Sequence, residues 1–510
     1  MSKLGTRLRE IMRGGTSVPL QVSGISVEDG TVVGADEKGD DLPPLPEPLA
    51  DRTCIRLRAQ RDSETAAEFE ERSRCAAGQV TRDARSAGQR LAAAAAVALG
   101  GRVHDTSAGP CVIVEREYAP DHRCGRLRVG DCADHVQHGA PGFSILAAAL
   151  PSPGLRDGSS PLPPTDGEIV FLDIETTGLT GGAGTYAFLV GCGWFQDGAL
   201  QLRQFFMVGH ALERALLDVV RERLESCGPL VTYNGKSFDV PVLETRFLYN
   251  RQPAPFGERL HLDMLHPARR LWRGTRPVVS LPGEQSDRCT LSVLERGLFA
   301  MQRTADVPGF EIPGRYFAFL RSGDARPLQP VLEHNRLDLV ALAALTARAS
   351  ALLGDTHPTS AEPRECLGLG RLLERAGRAD QAEMYYRRAA DLAAASWHAG
   401  DDEVRVAALH ALALRYRRCG RYLDAAAAWE AITRARRCAP ALMREALEAL
   451  AIHHEHRSHD LDQAWLFAER TRRVAGTYPD IHRRLARISR KLGAPGSRGG
   501  ARDAPLFAEC

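Results

Sequence analysis

Apolar residues fall along this chain in three different rhythms. Between residues 166 and 352 they come in short runs separated by turn residues, as in mixed strands and helices. Ile169-Val170-Phe171-Leu172 reads as a buried strand. Thr185 to Phe195 and Ala199 to Met207 read as a hairpin turning at Asp197-Gly198. An amphipathic helix follows from Ala211 to Ser226, then the strand-like Leu230-Val231-Thr232-Tyr233. The turn Asn234-Gly235 leads to a helix for which Ser237 is the candidate cap and which carries Asp239 and Pro241 in its first turn. An apolar helix opens at Glu333 and runs through Leu345. From residue 363 to 495 the rhythm becomes wholly helical and rich in Ala, Leu and Arg, with three related units. They centre on Ala379-Asp380-Gln381-Ala382, Leu423-Asp424-Ala425-Ala426 and Asp462-Gln463-Ala464. Those aromatic and Leu positions read mostly as core, and the array reads as self-contained, so that a chain ending near Leu352 is expected to keep its fold.

Upstream the pattern is weaker. Residues 1–50 are polar, end in a proline cluster and read as disordered. Residues 51–150 read as a small α+β accessory module, helix-rich from Glu64 to Leu99, with a strand from Cys111 to Tyr118. Arg123, Arg126 and Arg128 follow, placed better on a solvated edge strand than on a phosphate backbone. Residues 151–165 form a proline-rich linker, and residues 496–510 a Gly/Ser/Arg tail.

Composition narrows the class without naming it. The chain has 510 residues, 44% hydrophobic and 25% charged, as expected of a soluble protein of two or three domains. A formal net charge of +2 means that any electrostatic footprint for a polyanion must be local. Lysine occurs only at 3, 38, 236 and 491, so Lys236 stands out inside a turn, as a phosphate contact or a solvated lysine. The twelve cysteines contain no Cys-x-x-Cys pair and read as reduced thiols of a cytoplasmic protein. The N-terminus lacks the apolar centre of a signal peptide, and no membrane association is expected.

The candidate chemistry lies in three segments. Asp173 and Glu175 sit two apart on the first strand, so both point to one side. Two buried anions side by side repel each other and lose hydration, and a divalent cation relieves both problems. The plainer alternative is one strand-end acid and one turn acid. Asp239 either complements a helix dipole or joins that pair. His334 and Asp338 are four apart and share a helix face, as a solvated cap or as part of the same site. His261 and Asp263 are either groups supporting the site or a polar strand end.

Phe-Leu-Asp-Ile-Glu-Thr-Thr-Gly-Leu (171–179), Thr-Tyr-Asn-Gly-Lys-Ser-Phe-Asp (232–239) and the His334/Asp338 helix together resemble the DEDD superfamily of 3′–5′ exonucleases. With His-Leu-Asp-Met-Leu (261–265), the closer resemblance is to the YprB-like ribonuclease-H-like proteins. It implies an α/β ribonuclease-H-like domain over 166–352, a mixed sheet flanked by helices. It also implies that Asp173, Glu175, Asp239 and Asp338 hold two divalent ions, Mg²⁺ or Mn²⁺. His334 would be the general base, though it stands four residues before the last Asp, where the superfamily has Tyr; its His members have it five before. Asn335 is the alternative polar group near the metal. Thr176, Tyr233, Asn234 and Lys236 are the candidate substrate contacts, with Tyr233 or Phe238 available to stack on a base. The helices of 363–495 resemble a tetratricopeptide solenoid, stretched beyond its usual ~34-residue period and offering a surface to a protein partner.

The expected function is metal-dependent 3′–5′ exonucleolytic hydrolysis of DNA or RNA, single-stranded substrates being favoured. Two rivals are a non-catalytic nucleic-acid-binding protein and a protein-interaction scaffold on the same fold.

Overall fold

The computed structural model describes residues 86–139, 142–147, 167–178, 184–257, 259–273, 289–304, 306–354, 361–396, 398, 400–475 and 479–493. The segment 1–50, the first part of 51–150, the linker 151–165, Leu179 of the first motif and the tail 496–510 lie outside the described residues.

Helix α1 (86–99) leads into a hairpin of β1 (Arg102–Thr106) and β2 (Gly109–Tyr118). A small ribbon, β3 (Arg123–Cys124) and β4 (Leu127–Arg128), precedes α2 (Val129–Gly139) and α3 (Phe143–Ala147). Three strands follow, β5 (Val170–Thr176), β6 (Ala187–Gln196) and β7 (Ala199–Phe206), then α4 (Glu213–Glu225). Next come β8 (Leu230–Thr232), α5 (Asp239–Tyr249), β9 (His261–Asp263) and α6 (Leu265–Leu271). Then α7 (Leu291–Phe299) and α8 (Ile312–Ser322) lead to the long α9 (Gln329–Gly354).

One seven-stranded sheet runs β1-β2-β7-β6-β5-β8-β9. β5, β8 and β9 are parallel and the remaining neighbours antiparallel. The turn between β6 and β7 has φ 51° at Asp197 and 77° at Gly198, the backbone that suits a two-residue hairpin and that Asp-Gly adopts most easily. The α+β character expected within 51–150 is present in its described part, but apart from the small β3–β4 ribbon its strands do not form a sheet of their own. β2 pairs with β7 from Val112↔Phe206 to Tyr118↔Leu200, so the hairpin is the outer edge of the main sheet.

Both faces of the sheet are covered, which is why β8 (Leu-Val-Thr) is buried throughout. One face packs Val170, Leu172 and Ile174 against α1, α4, α5 and α8. The other packs Phe171, Leu202 and Val231 against α2, α6, α7 and α9. By length and composition the segment Arg326–Gly354 could cross a membrane, but here α9 is the central core helix, mostly buried against the sheet and α2. It begins four residues before the opening expected at Glu333.

Seven helices follow: α10 (Pro363–Arg375), α11 (Ala379–Ala395), α12 (Asp401–Arg418), α13 (Tyr422–Thr433), α14 (Pro440–His456), α15 (Leu461–Ala475) and α16 (Pro479–Gly493). They do not form the self-contained array expected. Leu367, Leu369, Tyr386 and Leu412 belong to the same buried cluster as Phe171 and Leu339. A separate core builds from α12 onward, from Val406 and Ala413 to Trp429, Leu447, Ala464 and Ile481. The joint is tight: a Cβ on Gly368 of α10 would lie 2.5 Å from the Arg270 carbonyl oxygen and 2.9 Å from Leu271 Cα, so α10 rests on the backbone of α6. Beside it Glu365, almost wholly buried, accepts from Trp272 Nε1 at 2.9 Å and from Arg348 Nη2 at 2.8 Å.

Candidate active site

The carboxyl ends of the parallel strands β5 and β8 lie side by side, so the segments leaving them converge. β5 alternates strictly near its end. Leu172 and Ile174 enter one core, while Asp173 and Glu175 face the side of Phe171 and α9. The β5–β6 register shifts between Glu175 and Thr176, a bulge that ends regular pairing at the acids. Across the sheet Asp173 pairs with Gly191 on β6, and Gly191 with Gln204 on β7. The missing side chain of Gly191 is filled by Asn335 of α9: a Cβ there would stand 2.3 Å from Asn335 Oδ1. Gln204 Nε2 donates to Asn335 Oδ1 at 2.8 Å, which leaves Asn335 Nδ2 to donate to Asp173 Oδ2 at 2.7 Å. The fully buried Asn335 thus aims Asp173, a finer role than proximity to a metal.

Asp239 opens α5 and is 6% exposed. Backbone groups of Asp239 itself and of Ile174 on β5 hydrogen-bond its carboxylate, tying the second motif to the first. The expected cap at Ser237 is absent. Phe238 holds the cap position without a side-chain bond, and Ser237 is exposed. The loop is held from β9 instead: Asp263 Oδ1 accepts from Asn234 N at 2.8 Å, and Oδ2 from Lys236 N at 3.1 Å. His261 Nε2 lies 2.8 Å from Thr232 Oγ1, and burial, with Lys236 nearby, lowers the imidazole to about 3. It is therefore a neutral brace. His261 and Asp263 support the loop rather than ending a polar strand.

Asp338 and His334 approach from α9. Asp338 Oδ1 accepts from Arg303 Nη2 at 2.5 Å, and the same guanidinium grips the buried Glu295 at 2.6 and 3.0 Å. His334 Nδ1 lies 2.6 Å from Asp306 Oδ1, while its Nε2 is 3.6 Å from Asp338 Oδ2, too far for a hydrogen bond. Sequence patterning does not single out Arg303, Glu295, Asp306, Gly191 or Gln204. Its one signal is Glu295, an acid on the apolar face of a helix.

Electrostatics binds these groups into one site. Burial, then Asp338, Glu175 and Asp239, pushes Asp173 well above the usual carboxylate range, with Asn335 pulling back. Glu175 is raised by burial, then Asp338, Asp239 and Asp306, with Arg303 opposing. Burial raises Asp239 to about 7, against its backbone hydrogen bonds. Such a set of hard oxygen donors suits Mg²⁺ or Mn²⁺, and the mutual repulsion is what a bound cation relieves. No three His, Cys, Asp or Glu side chains close around a common point among the described residues. Asp338, drawn to Arg303, would have to turn to complete the set. The donor chemistry fits a divalent ion.

The expected substrate contacts divide. Thr176 is buried and its hydroxyl donates to the Gly178 carbonyl at 2.8 Å. The Tyr233 hydroxyl donates to the Cys289 carbonyl at 2.6 Å, and its partly buried ring packs on the core. Phe238 packs against the opposite core. Asn234 is exposed, with φ 66°, and Lys236 is half-buried beside it. Of the expected contacts, these two keep polar side chains accessible to solvent.

Residues 170–350 match the RNase_H superfamily model. The chain is 29% identical over 393 residues to "Uncharacterized protein YprB" of Bacillus subtilis (strain 168), across 75% of this chain and 86% of that protein. Among solved structures, the family B DNA polymerase of Pyrobaculum calidifontis is similar over 45% of this chain, with 14% identity and a TM-score of 0.31. The chain spans about 30% of that polymerase. The architecture is thus a ribonuclease-H-like domain, a mixed sheet flanked by helices, followed by an all-helical region.

Proposed function

We propose that this chain is a metal-dependent nuclease that removes nucleotides from the 3′ end of single-stranded DNA or RNA. One observation carries the reading: Asp173, Glu175, Asp239 and Asp338, from three separate segments, raise or are raised by one another in a buried site. Two divalent ions held by these four carboxylates would polarise the scissile phosphate and lower the pKa of the attacking water. The chain's own groups do the rest. Asp306 holds Nδ1–H of His334 and leaves Nε2 free to take the water's proton. The water oxygen bonds to phosphorus, the P–O3′ bond breaks, and the departing O3′ takes a proton from solvent. Asn335 fixes Asp173 while this happens, and Asn234 and Lys236 flank the strand. Helices α10 to α16, in tetratricopeptide-like pairs, offer a surface to a protein partner. The nine described cysteines are all free thiols, in keeping with a reducing cytoplasm.

One observation favours a second reading, a non-catalytic nucleic-acid-binding scaffold: Arg303 already supplies Asp338 with a cation. End-labelled single- and double-stranded DNA and RNA, incubated with the purified protein and Mn²⁺, separate the two. The nuclease reading expects a ladder shortening from the 3′ end, abolished by Asp173→Asn or EDTA and slowed about 10²–10⁴-fold by His334→Ala. Intact oligonucleotides with all four substrates would leave the scaffold reading.

A further inference from the structure

The joint between α6 and α10 holds an open cavity of about 460 Å³. From the ribonuclease-H-like side it is lined by His266, Arg269, Arg270 and Arg273, and from the helical region by Arg371 and Arg375. The one acid on its described wall, Glu374, is engaged elsewhere: Oε1 accepts from Arg418 at 2.5 Å and Oε2 from the Tyr386 hydroxyl at 2.8 Å. Five arginines therefore share a concave surface in a chain whose overall net charge is only +2. Arg269, Arg273, Arg371 and Arg375 are exposed, and Arg270 is half-buried.

Cations do not gather at one spot without cost. Burial, then the neighbouring Arg375 and Arg371, holds Arg270 below its ordinary value, so these positive charges oppose one another as they stand. The fold forces them together through Gly368, which lets the backbones of α10 and α6 touch and so brings Arg371 and Arg375 beside Arg269 and Arg270. The groove is also tied to the second motif, because Asp263, which holds the Asn234 and Lys236 amides, stands close in sequence to the groove residue His266. His266 follows Asp263 by three residues, and its imidazole is lowered by burial and by the charges of Arg269, Arg270 and Lys236, with Asp263 opposing. Lys236 thus lies close enough to act on His266, which lines the groove that continues into the helical region.

We propose that this cavity binds the phosphate backbone of the single-stranded nucleic acid, so that the strand runs from the carboxylate site past Lys236 and His266 into the groove between α6 and α10. The inference deepens the nuclease reading and rests on it for the identity of the ligand. It gives the first helix of the helical region a part in holding substrate, beside any partner-binding role. Arginine suits the task because its planar fork pairs with phosphate oxygens, and contacts to phosphate alone carry no base preference.

The test is binding by full-length protein in EDTA, where no cleavage occurs, read by the anisotropy of labelled oligothymidylate and oligouridylate over a range of salt. Arg269→Gln/Arg371→Gln should weaken both oligonucleotides about 10-fold or more, equally for each base, and flatten the dependence of log K on log salt by about 0.7 for each phosphate that is no longer neutralised. Arg434→Gln, at an exposed arginine outside the lining of the groove, should bind as the wild type does. Wild-type affinity and salt slope in the double variant would overturn the proposal. So would wild-type protein that binds neither oligonucleotide, or that binds poly-glutamate in their place, which would make the groove an acidic-protein site. Arginine-dependent binding without cleavage in Mn²⁺ would keep the groove and sink the nuclease reading. Cleavage with arginine-independent binding would do the reverse.

Discussion

The joint between α6, α9 and α10 and the carboxylate cluster at the end of β5 both bury acids, with opposite results. At the joint, Glu365 is 3% exposed and meets Arg348, the Trp272 indole and the Glu362 backbone. Its charge is matched on every side, and the group acts as a bolt. In the cluster, among the described residues, Asp173 is opposed by Asn335 and Asp239 by backbone groups, while the neighbouring acids push both upward. A buried charge with fitted partners speaks of architecture. A buried set of like charges without them speaks of a ligand that arrives later.

Four measurements bear on this contrast, taken in order of expected effect on stability. Ending the chain after Gly354 removes the partners of Trp272, Leu271 and Leu345 from a shared core, so the shortened chain should be insoluble. A soluble product with the circular dichroism of a folded domain would show that the joint is dispensable. Glu365→Ala removes the buried carboxylate that the Trp272 indole and the half-buried Arg348 share and should cost about 1.5–3 kcal/mol in chemical denaturation; a loss under about 1 kcal/mol would count against the bolt.

The third is a pH profile of the metal-free protein. Asp239 titrates near 7 in the folded state against an ordinary value of 3.8, so the native state holds a proton that the unfolded state has released. Its contribution is full below about pH 4 and is lost, at roughly 1.4 kcal/mol per pH unit, as pH rises to about 7. The stability advantage of Asp239→Asn over the wild type should grow through that window and then level off, and Mg²⁺ should shrink it. A flat difference would remove the repulsion argument. The smallest effect belongs to Asp173→Asn in EDTA near pH 7, which removes the carboxyl that burial and repulsion from Asp338, Glu175 and Asp239 push upward. It should melt slightly higher than the wild type, by about 1–4 °C, and a lower melting point would mean that Asp173 is structurally matched after all.

What could be read in the sequence was local. Alternation alone put Asp173 and Glu175 on one side of a strand, and Asp197-Gly198 announced its own turn. The supporting groups could not be read that way. Asn335 reaches Asp173 across 162 positions, and Gln204 reaches Asn335 across 131, so neither bond leaves a trace in any short window. Ser237 looked like a cap because its residue type is right, but the Asp263 carboxylate, 27 positions beyond Lys236, holds the loop amides instead. The self-contained helical array failed for the same reason: Gly368 looks like an ordinary weak point in a helix until the backbone of Arg270 is laid against it.

That glycine also governs how the molecule can vary. A contact of main chain on main chain has no rotamer to exchange, so the two halves of the groove keep one spacing and one phase. An inserted residue between Gly368 and Arg371 would leave the contact in place but swing the arginines about 100° around the helix axis, away from α6. The spacing of three positions between them is thus a ruler. Side chains along the groove can be exchanged one at a time, whereas its length can change only if both helices are rebuilt together.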